Sequence, residues 1–434
     1  MINHLYRHIA SWAGFFLLAA LLISCAKESS VVDSPEVKQP TQPAQTPIAL
    51  SAYTAQPIAA STRADQSLLA DHGIPNGKSI GVFAYYHQGT DSNSDGIIDT
   101  DGTWTGSETP NFMFNQQATC STADDAFIYA PLKYWPNTPH DKLSFIGYYP
   151  YTTNLVGESP SDDRGIALSS NVEGLPAFEL TVSNDVTKQV DFLISDLLTG
   201  LPNGTSAVSP SSAVNREGLT IIDRVRLLFH HATSKVTIRI AIDEEIREDF
   251  MSMTISNLEL TNIYRKGTVT PSYASATGTT INVTEDKTDP DYKTTYKIVD
   301  ASVNPVVNHL TDTYLMLPQT LVYDAEHPDV PANNAQINIS YSITLRSHGT
   351  VYTYDGAGNP VETDHYTYSN TASLPLAEMK MASAPTTAIT SWLPNHHYIY
   401  TIRLTAKRIE FTGEVVEWGQ EVPWDNIVVD QIGT

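Results

Sequence analysis

Cysteine is scarce in this chain: its 434 residues carry two, Cys25 and Cys120. If Cys25 is consumed by lipid attachment, as argued below, Cys120 has no partner and no intrachain disulfide forms. A chain of this length manages without one, because its burial fraction is already high. Basic residues are short as well, with 25 Lys and Arg against 48 Asp and Glu and a formal net charge of −23. That balance argues against nucleic acid and against polybasic membrane contact, and suits a solvated extracellular surface. Apolar periodicity at helical spacing is also scarce; DEEIREDFMSM (243–253) reads as a short helix or a connecting loop. Catalytic signatures are missing: there is no HExxH, GxSxG, Walker A or CxxC pattern. Nothing sets a nucleophile, a base and a stabiliser together, so neither an enzyme nor a required cofactor is expected.

What is present starts with an export signal. Arg7, with His4 and His8, forms a weakly basic start, and an apolar run follows from Trp12 to Ile23. The run is about a dozen residues where a spanning helix takes roughly 20, so it fits a signal h-region. Leu22-Ile23-Ser24-Cys25 matches the lipobox of bacterial lipoproteins. There the thiol accepts a diacylglycerol and the signal is cut before it, which predicts a signal peptide over 1–24 and lipidation at Cys25. Residues 25–46 hold Pro35, Pro40 and Pro43 with little apolar content, and read as an extended tether above a membrane.

The rest alternates apolar and polar residues in short runs rich in Val, Ile, Thr and Tyr. Examples are SIGVFAYY (79–86), KLSFIGYYPY (142–151), KVTIRIAI (235–242), QINISYSITL (336–345) and HYIYTIRLTA (397–406). Each is bounded by turn-forming residues, which predicts an all-β fold of packed antiparallel sheets. Roughly 385 residues follow the tether, room for two domains. TGLPNGTSAVSPSSAVNREG (199–218) is the expected boundary, because structureless loops of that length are uncommon inside a domain. The expected division is 47–215 and 216–434.

Three clusters invite a chemical reading. His230-His231 and His396-His397 are adjacent pairs, and neighbours on a strand point to opposite faces, so neither pair binds one metal. DSNSDGIIDTDG (91–102) sets Asp91, Asn93, Asp95, Gly96 and Asp99 at EF-hand-like positions. Calcium in this loop, with Asp101 as a substitute ligand, competes with a plain solvated hairpin loop, since Gly102 stands where a bidentate Glu belongs. Tyr134, Trp135, Phe145, Tyr148 and Tyr149 lie in KYWPNTPHDKLSFIGYYPYTT (133–153). Core packing competes there with an exposed sugar-stacking platform, which would make the chain a glycan-binding surface lipoprotein.

Taken together, the lipobox, Thr62-Arg63-Ala64, IGVFAYY, KYWPNTPHDKLSFIGYYP, VDFLISD (190–196), LFHHATSKVTIRI (228–240) and SWLPNHHYIYTIRL followed by EVVEWGQEVPW resemble the fimbrillin family of Bacteroidales, subunits of type V pili. The resemblance implies two tandem transthyretin-like β-sandwich domains. It also implies a lipoprotein precursor carried to the outer membrane surface, cut there by an arginine-specific surface protease and polymerised by strand exchange with other copies or related subunits, in adhesion or biofilm. Arg63 is the first arginine after the lipobox and lies among small and polar residues. Cleavage between Arg63 and Ala64 would release 47–63, a removable first strand with Ile48, Leu50 and Ala52 on one face. The donor would be the terminal segment of about 408–434, with Ile409 and Phe411 alternating in one strand and Ile427 and Val429 in another. Within the family, an uncleaved membrane-anchored base subunit or a tip subunit is the alternative.

Overall fold

A computed structural model of the chain describes residues 47–54, 73–121, 126–136, 138, 140–170, 173–202, 224–242, 251–288, 293–299, 309–327, 334–405 and 409–419. All of them belong to one compact unit, Gln45–Thr434. The first strands are β1 (Ala49–Thr54), β2 (Ser79–His87), β3 (Met113–Cys120), β4 (Ala126–Ile128), β5 (Lys142–Tyr149), β6 (Ile166–Leu168) and β7 (Phe178–Thr181). Next come β8 (Leu193–Ser195), β9 (Leu198–Pro202), β10 (Arg224–His231), β11 (Ser234–Ile242), β12 (Met251–Tyr264), β13 (Lys266–Ala274), β14 (Gly278–Glu285) and β15 (Lys293–Val299). The last are β16 (His309–Met316), β17 (Gln319–Thr320), β18 (Gln336–Tyr354), β19 (Pro360–Pro375), β20 (Ser391–Trp392), β21 (His396–Leu404) and β22 (Ile409–Glu417). Among the described residues the only helical turns are two short 3-10 segments, so the fold is all-β.

The first lobe closes on itself. Its strands run β2-β3-β4-β1-β10-β8-β5, and β5 pairs back onto β2, with β9 added beside β5. Closure removes free edges, which would otherwise template pairing with other chains. Both faces of β2 and β5 are covered, which is why these strands read as nearly unbroken apolar runs. Ile80, Val82, Ala84, Leu143 and Phe145 point into the ring. Phe83, Tyr85, Ile146 and Tyr148 point out, against the sheet β6-β7-β13-β14. There Tyr148 lies 4.6 Å from Phe178, and Phe178 lies 5.1 Å from Phe192, centroid to centroid. Gly81 sits under the Tyr148 ring, where a Cβ would fall 2.0 Å from a ring carbon.

The second lobe is a sandwich of β16-β11-β21-β22 on β15-β12-β18-β19. Alternate residues of the facing strands, Val236, Ile238 and Ile240 on one sheet and Ile337, Ile339 and Ile343 on the other, fill its core. Strand pairing does not respect a division at residue 215. β10 follows that point yet pairs with β1 and β8, and β13 of the second half extends the sheet of β6 and β7. Among the described strands two pairings are parallel, β1 with β10 and β11 with β21, where the sequence pattern leads only to antiparallel sheets. Of the stretch 199–218, residues 199–202 lie in β9 and the remainder falls outside the described residues. Of 243–253, residues 243–250 lie outside them as well, and Met251 opens β12 rather than a helix.

Candidate functional site

β1 is held from both sides. Six residues pair in parallel with β10, from Ala49 opposite Arg224 to Thr54 opposite Phe229. Its other edge meets β4 antiparallel through Leu50–Phe127 and Ser51–Ala126. Ile48, Leu50 and Ala52 are buried in the ring's core beside Val225, Leu227 and Phe229. The Ile48 amide donates to the Lys133 carbonyl at 2.9 Å, and the Tyr129 hydroxyl donates to the Ile48 carbonyl at 2.7 Å. The strand is therefore a wedge in a closed ring. Taking it out would leave β4 and β10 with unpaired backbone over an apolar floor. Arg63 and Ala64 lie outside the described residues, as do Cys25, Ile427 and Val429.

The C-terminal strand is occupied where it stands. β22 pairs with β21 over nine residues, from Leu404 opposite Ile409 to His396 opposite Glu417. Phe411 is part of the second lobe's core. Just beyond, Trp418 is buried in the core of the first lobe and stacks on His231, with centroids 3.9 Å apart and planes 11° from parallel. His231 Nδ1 lies 2.9 Å from the carboxylate of buried Asp191. This clasp ties the end of β22 to β10, the strand next to β1. Sequence reasoning placed Trp418 in the closing motif EVVEWGQEVPW but gave it no role.

The histidines are structural. His230 Nε2 lies 3.3 Å from Asp196, His397 Nε2 lies 2.9 Å from the Thr237 hydroxyl, and His396 Nδ1 lies 2.7 Å from the Pro394 carbonyl. One triad-like array does occur. His87 Nε2 is 2.8 Å from the Ser144 hydroxyl and its Nδ1 is 3.6 Å from Glu108. Burial pushes the His87 pKa down, with Glu108 partly opposing. Ser144 is wholly buried inside the sheet, so no substrate reaches it, and the array is a packing contact.

The acidic loop is organised by its own backbone. Asp91 accepts from the amides of Asn93, Asp95 and Gly96, and Asp99 accepts from the amide and hydroxyl of Ser92. The Gly96 amide in particular holds the Asp91 carboxyl below its usual range. Asp101 bonds to His140 at 2.8 Å and pairs with Lys142 at 3.2 Å. Among the described residues no group of three or more His, Cys, Asp or Glu side chains could hold a metal ion. The loop's carboxylates are engaged by its own amides and by Ser92, His140 and Lys142.

The aromatic cluster is divided. Trp135, Phe145, Tyr148 and Tyr149 are buried, with Trp135 edge-on to Phe145 at 6.1 Å, and Tyr134 alone is exposed. This overturns the sugar platform at Trp135, because a ring enclosed by the core presents no face to a glycan.

Comparison with known proteins places these elements in a family. A family model described as fimbrillin-like matches residues 62–418. The chain is also similar to Fimbrium subunit Fim1C of Phocaeicola vulgatus, 30% identical over 162 residues, which is 37% of this chain and 37% of that relative. Among solved structures, a fimbrial protein from Bacteroides vulgatus superposes with a TM-score of 0.46 at 17% identity, covering 86% of this chain and 99% of the other. The C-terminally truncated tip fimbrial protein Mfa3 of Porphyromonas gingivalis does so with a TM-score of 0.35 at 10% identity, over 86% and 100%. The family assignment rests on the sequence match, which spans most of the chain: the protein belongs to the fimbrillin-like family.

Proposed function

We propose that this protein is a structural subunit of a cell-surface fimbria, exported as a lipoprotein acylated at Cys25 and matured by cleavage after Arg63. Assembly then proceeds by strand exchange, in which a segment of another copy or a related subunit takes the place of β1. The observation that carries the reading is the seat of β1, paired on both sides in a closed ring and followed by the segment that holds Arg63. Loss of this one strand converts a ring without edges into an open slot, and main-chain pairing by an incoming strand closes it again. Such a contact joins unlike surfaces and does not close on itself, so it propagates as a fibre.

The placement of β22 narrows the donor. Before assembly Ile409 and Phe411 lie in a strand paired with β21, and Trp418 is buried, which supports a donor drawn from the end of the 408–434 segment, residues 420–434 with Ile427 and Val429. We infer two transthyretin-like lobes that meet near residue 215, with β10 and β13 crossing between the two halves of the chain.

N-terminal sequencing of the surface protein tests the maturation step. A start at Ala64 in wild type, with no release or polymer from Arg63→Ala, is expected. A lipid retained at Cys25 on the mature protein would instead assign the chain to a membrane-anchored base. Deleting 420–434 should leave monomers that mature but do not polymerise, and polymers formed by that truncation would remove the donor assignment.

A further inference from the structure

The inner face of one sheet runs past the sheet it covers. In β18 the odd-numbered residues Ile337, Ile339, Tyr341 and Ile343 belong to the second lobe's core. The same face continues along the β18–β19 hairpin, where Ile343 pairs with Tyr368 and Leu345 with Tyr366. Beyond a bulge between Arg346 and Val351, Tyr352 pairs with Glu362 and Tyr354 with Pro360. On β19, Pro360 and Glu362 lie at even spacing from Tyr366 and Tyr368 and so on the same face, which places the tyrosines of both strands together. Exposure climbs along it: 6% at Ile343, 40% at Leu345, 62% at Tyr352 and 74% at Tyr354. On the partner strand Tyr368 is 43% and Tyr366 53% exposed. A core face has been carried out into solvent.

We propose that this face seats on a second copy of the chain, at the surface presented by Ile128, Leu132 and Tyr134. The inference rests on the strand-exchange reading given above. These three side chains are 67%, 48% and 41% exposed. They border the β1 slot: the Ile48 amide bonds to the Lys133 carbonyl, and Pro47 forms a bridge with Tyr134. A neighbour whose strand fills that slot lies beside this surface already. Charge agrees with the pairing. Glu362 pairs with Tyr352 on the tyrosine face and Asp364 lies two residues farther along β19, while Lys133, between Leu132 and Tyr134 in sequence, holds its ammonium 5.5 Å from the Phe112 ring centroid.

Area decides what kind of contact this is. Four tyrosines at these exposures offer on the order of 450 Å², taking about 200 Å² for a fully exposed ring. A stable interface uses roughly 800 Å² per partner. The face is therefore too small to hold two free subunits together in solution, in keeping with the acidity of the chain. It suffices as an accessory contact between subunits joined by an exchanged strand, where effective concentration is high. It would set the angle and stiffness of the joint.

The test uses the full chain treated with an arginine-specific endoprotease, with polymer measured by sedimentation and cleavage by gel. The double variant Tyr352→Ala, Tyr366→Ala should keep the wild-type circular dichroism and cleavage rate, because both residues are exposed, yet yield at least tenfold less polymer. Lys133→Glu should show the same loss, and adding Glu362→Lys should restore most of it. Wild-type polymer yield from the tyrosine variant, or no restoration by the charge exchange, would overturn the docking while leaving strand exchange intact. Failure of the wild-type chain itself to polymerise after cleavage would overturn the strand-exchange reading and the docking with it.

Discussion

Replacing Leu50 by alanine should weaken the precursor and leave the assembled fibre unchanged. Leu50 is fully buried, facing Phe127 on one side and Val225 on the other. Truncation of such a leucine costs about 2–5 kcal/mol, from lost transfer energy and the cavity left behind. With total stabilities of about 5–15 kcal/mol, the variant still folds, yet a loss of about 3 kcal/mol shifts the opening equilibrium of β1 more than 100-fold. The penalty falls on local release of one strand as well as on global unfolding. In the fibre, β1 and Leu50 would be gone, and the pocket would be filled by the donor. The assay compares urea midpoints of uncleaved wild type and Leu50→Ala with the dissociation temperatures of the two fibres in detergent. A lower precursor midpoint and coincident fibre curves are expected. Equal losses in both forms would show that β1 remains in the fibre, and an unchanged precursor would show that β1 contributes little to the ring.

Trp418→Ala should cost about 3–5 kcal/mol, the usual range for a buried tryptophan, because it empties the stack on His231; an unchanged melting temperature would refute the clasp. The folded pKa of His87 lies below its ordinary value because of burial. Its neutral ring therefore stabilises the fold above about pH 6.5, and that contribution is lost as pH falls through the lowered pKa. His87→Gln should flatten the fall in stability below pH 6.5, and identical slopes in urea titrations at pH 7 and pH 5 would count against it. Millimolar calcium should leave the melting curve within about a degree, since the loop's own amides take up its carboxylates, and a rise of several degrees would restore the cation site through linkage. Trp135→Ala should lower stability without creating or abolishing glycan retention on a polysaccharide column, because the ring is enclosed.

Much of the fold was legible because it depends on local alternation. SIGVFAYY and KLSFIGYY read as alternating strands, whereas β2 and β5 are buried on both faces, between two cores. The acidic loop shows the opposite case. Its ligand-like spacing was real, yet the same short carboxylates serve equally well to cap the loop's own amides, and spacing alone does not separate the two uses. The aromatic cluster was ambiguous for a similar reason, since the same rings pack or stack depending on what lies opposite.

The sequence by itself determined an all-β chain, an acidic surface and a match to the fimbrillin-like family, because these follow from composition, period-two patterning and the order of motifs. Only the tertiary structure decided that β1 is a wedge in a closed ring, that Trp418 links the end of β22 to β10, and that the β18–β19 hairpin carries a core face into solvent. β1 pairs with strands that begin far along the chain, Leu50 with Phe127 and Ala49 with Arg224, and Trp418 stacks on distant His231. Strand periodicity tells which side chains share a face, but not which strand will lie beside it or where its cover ends.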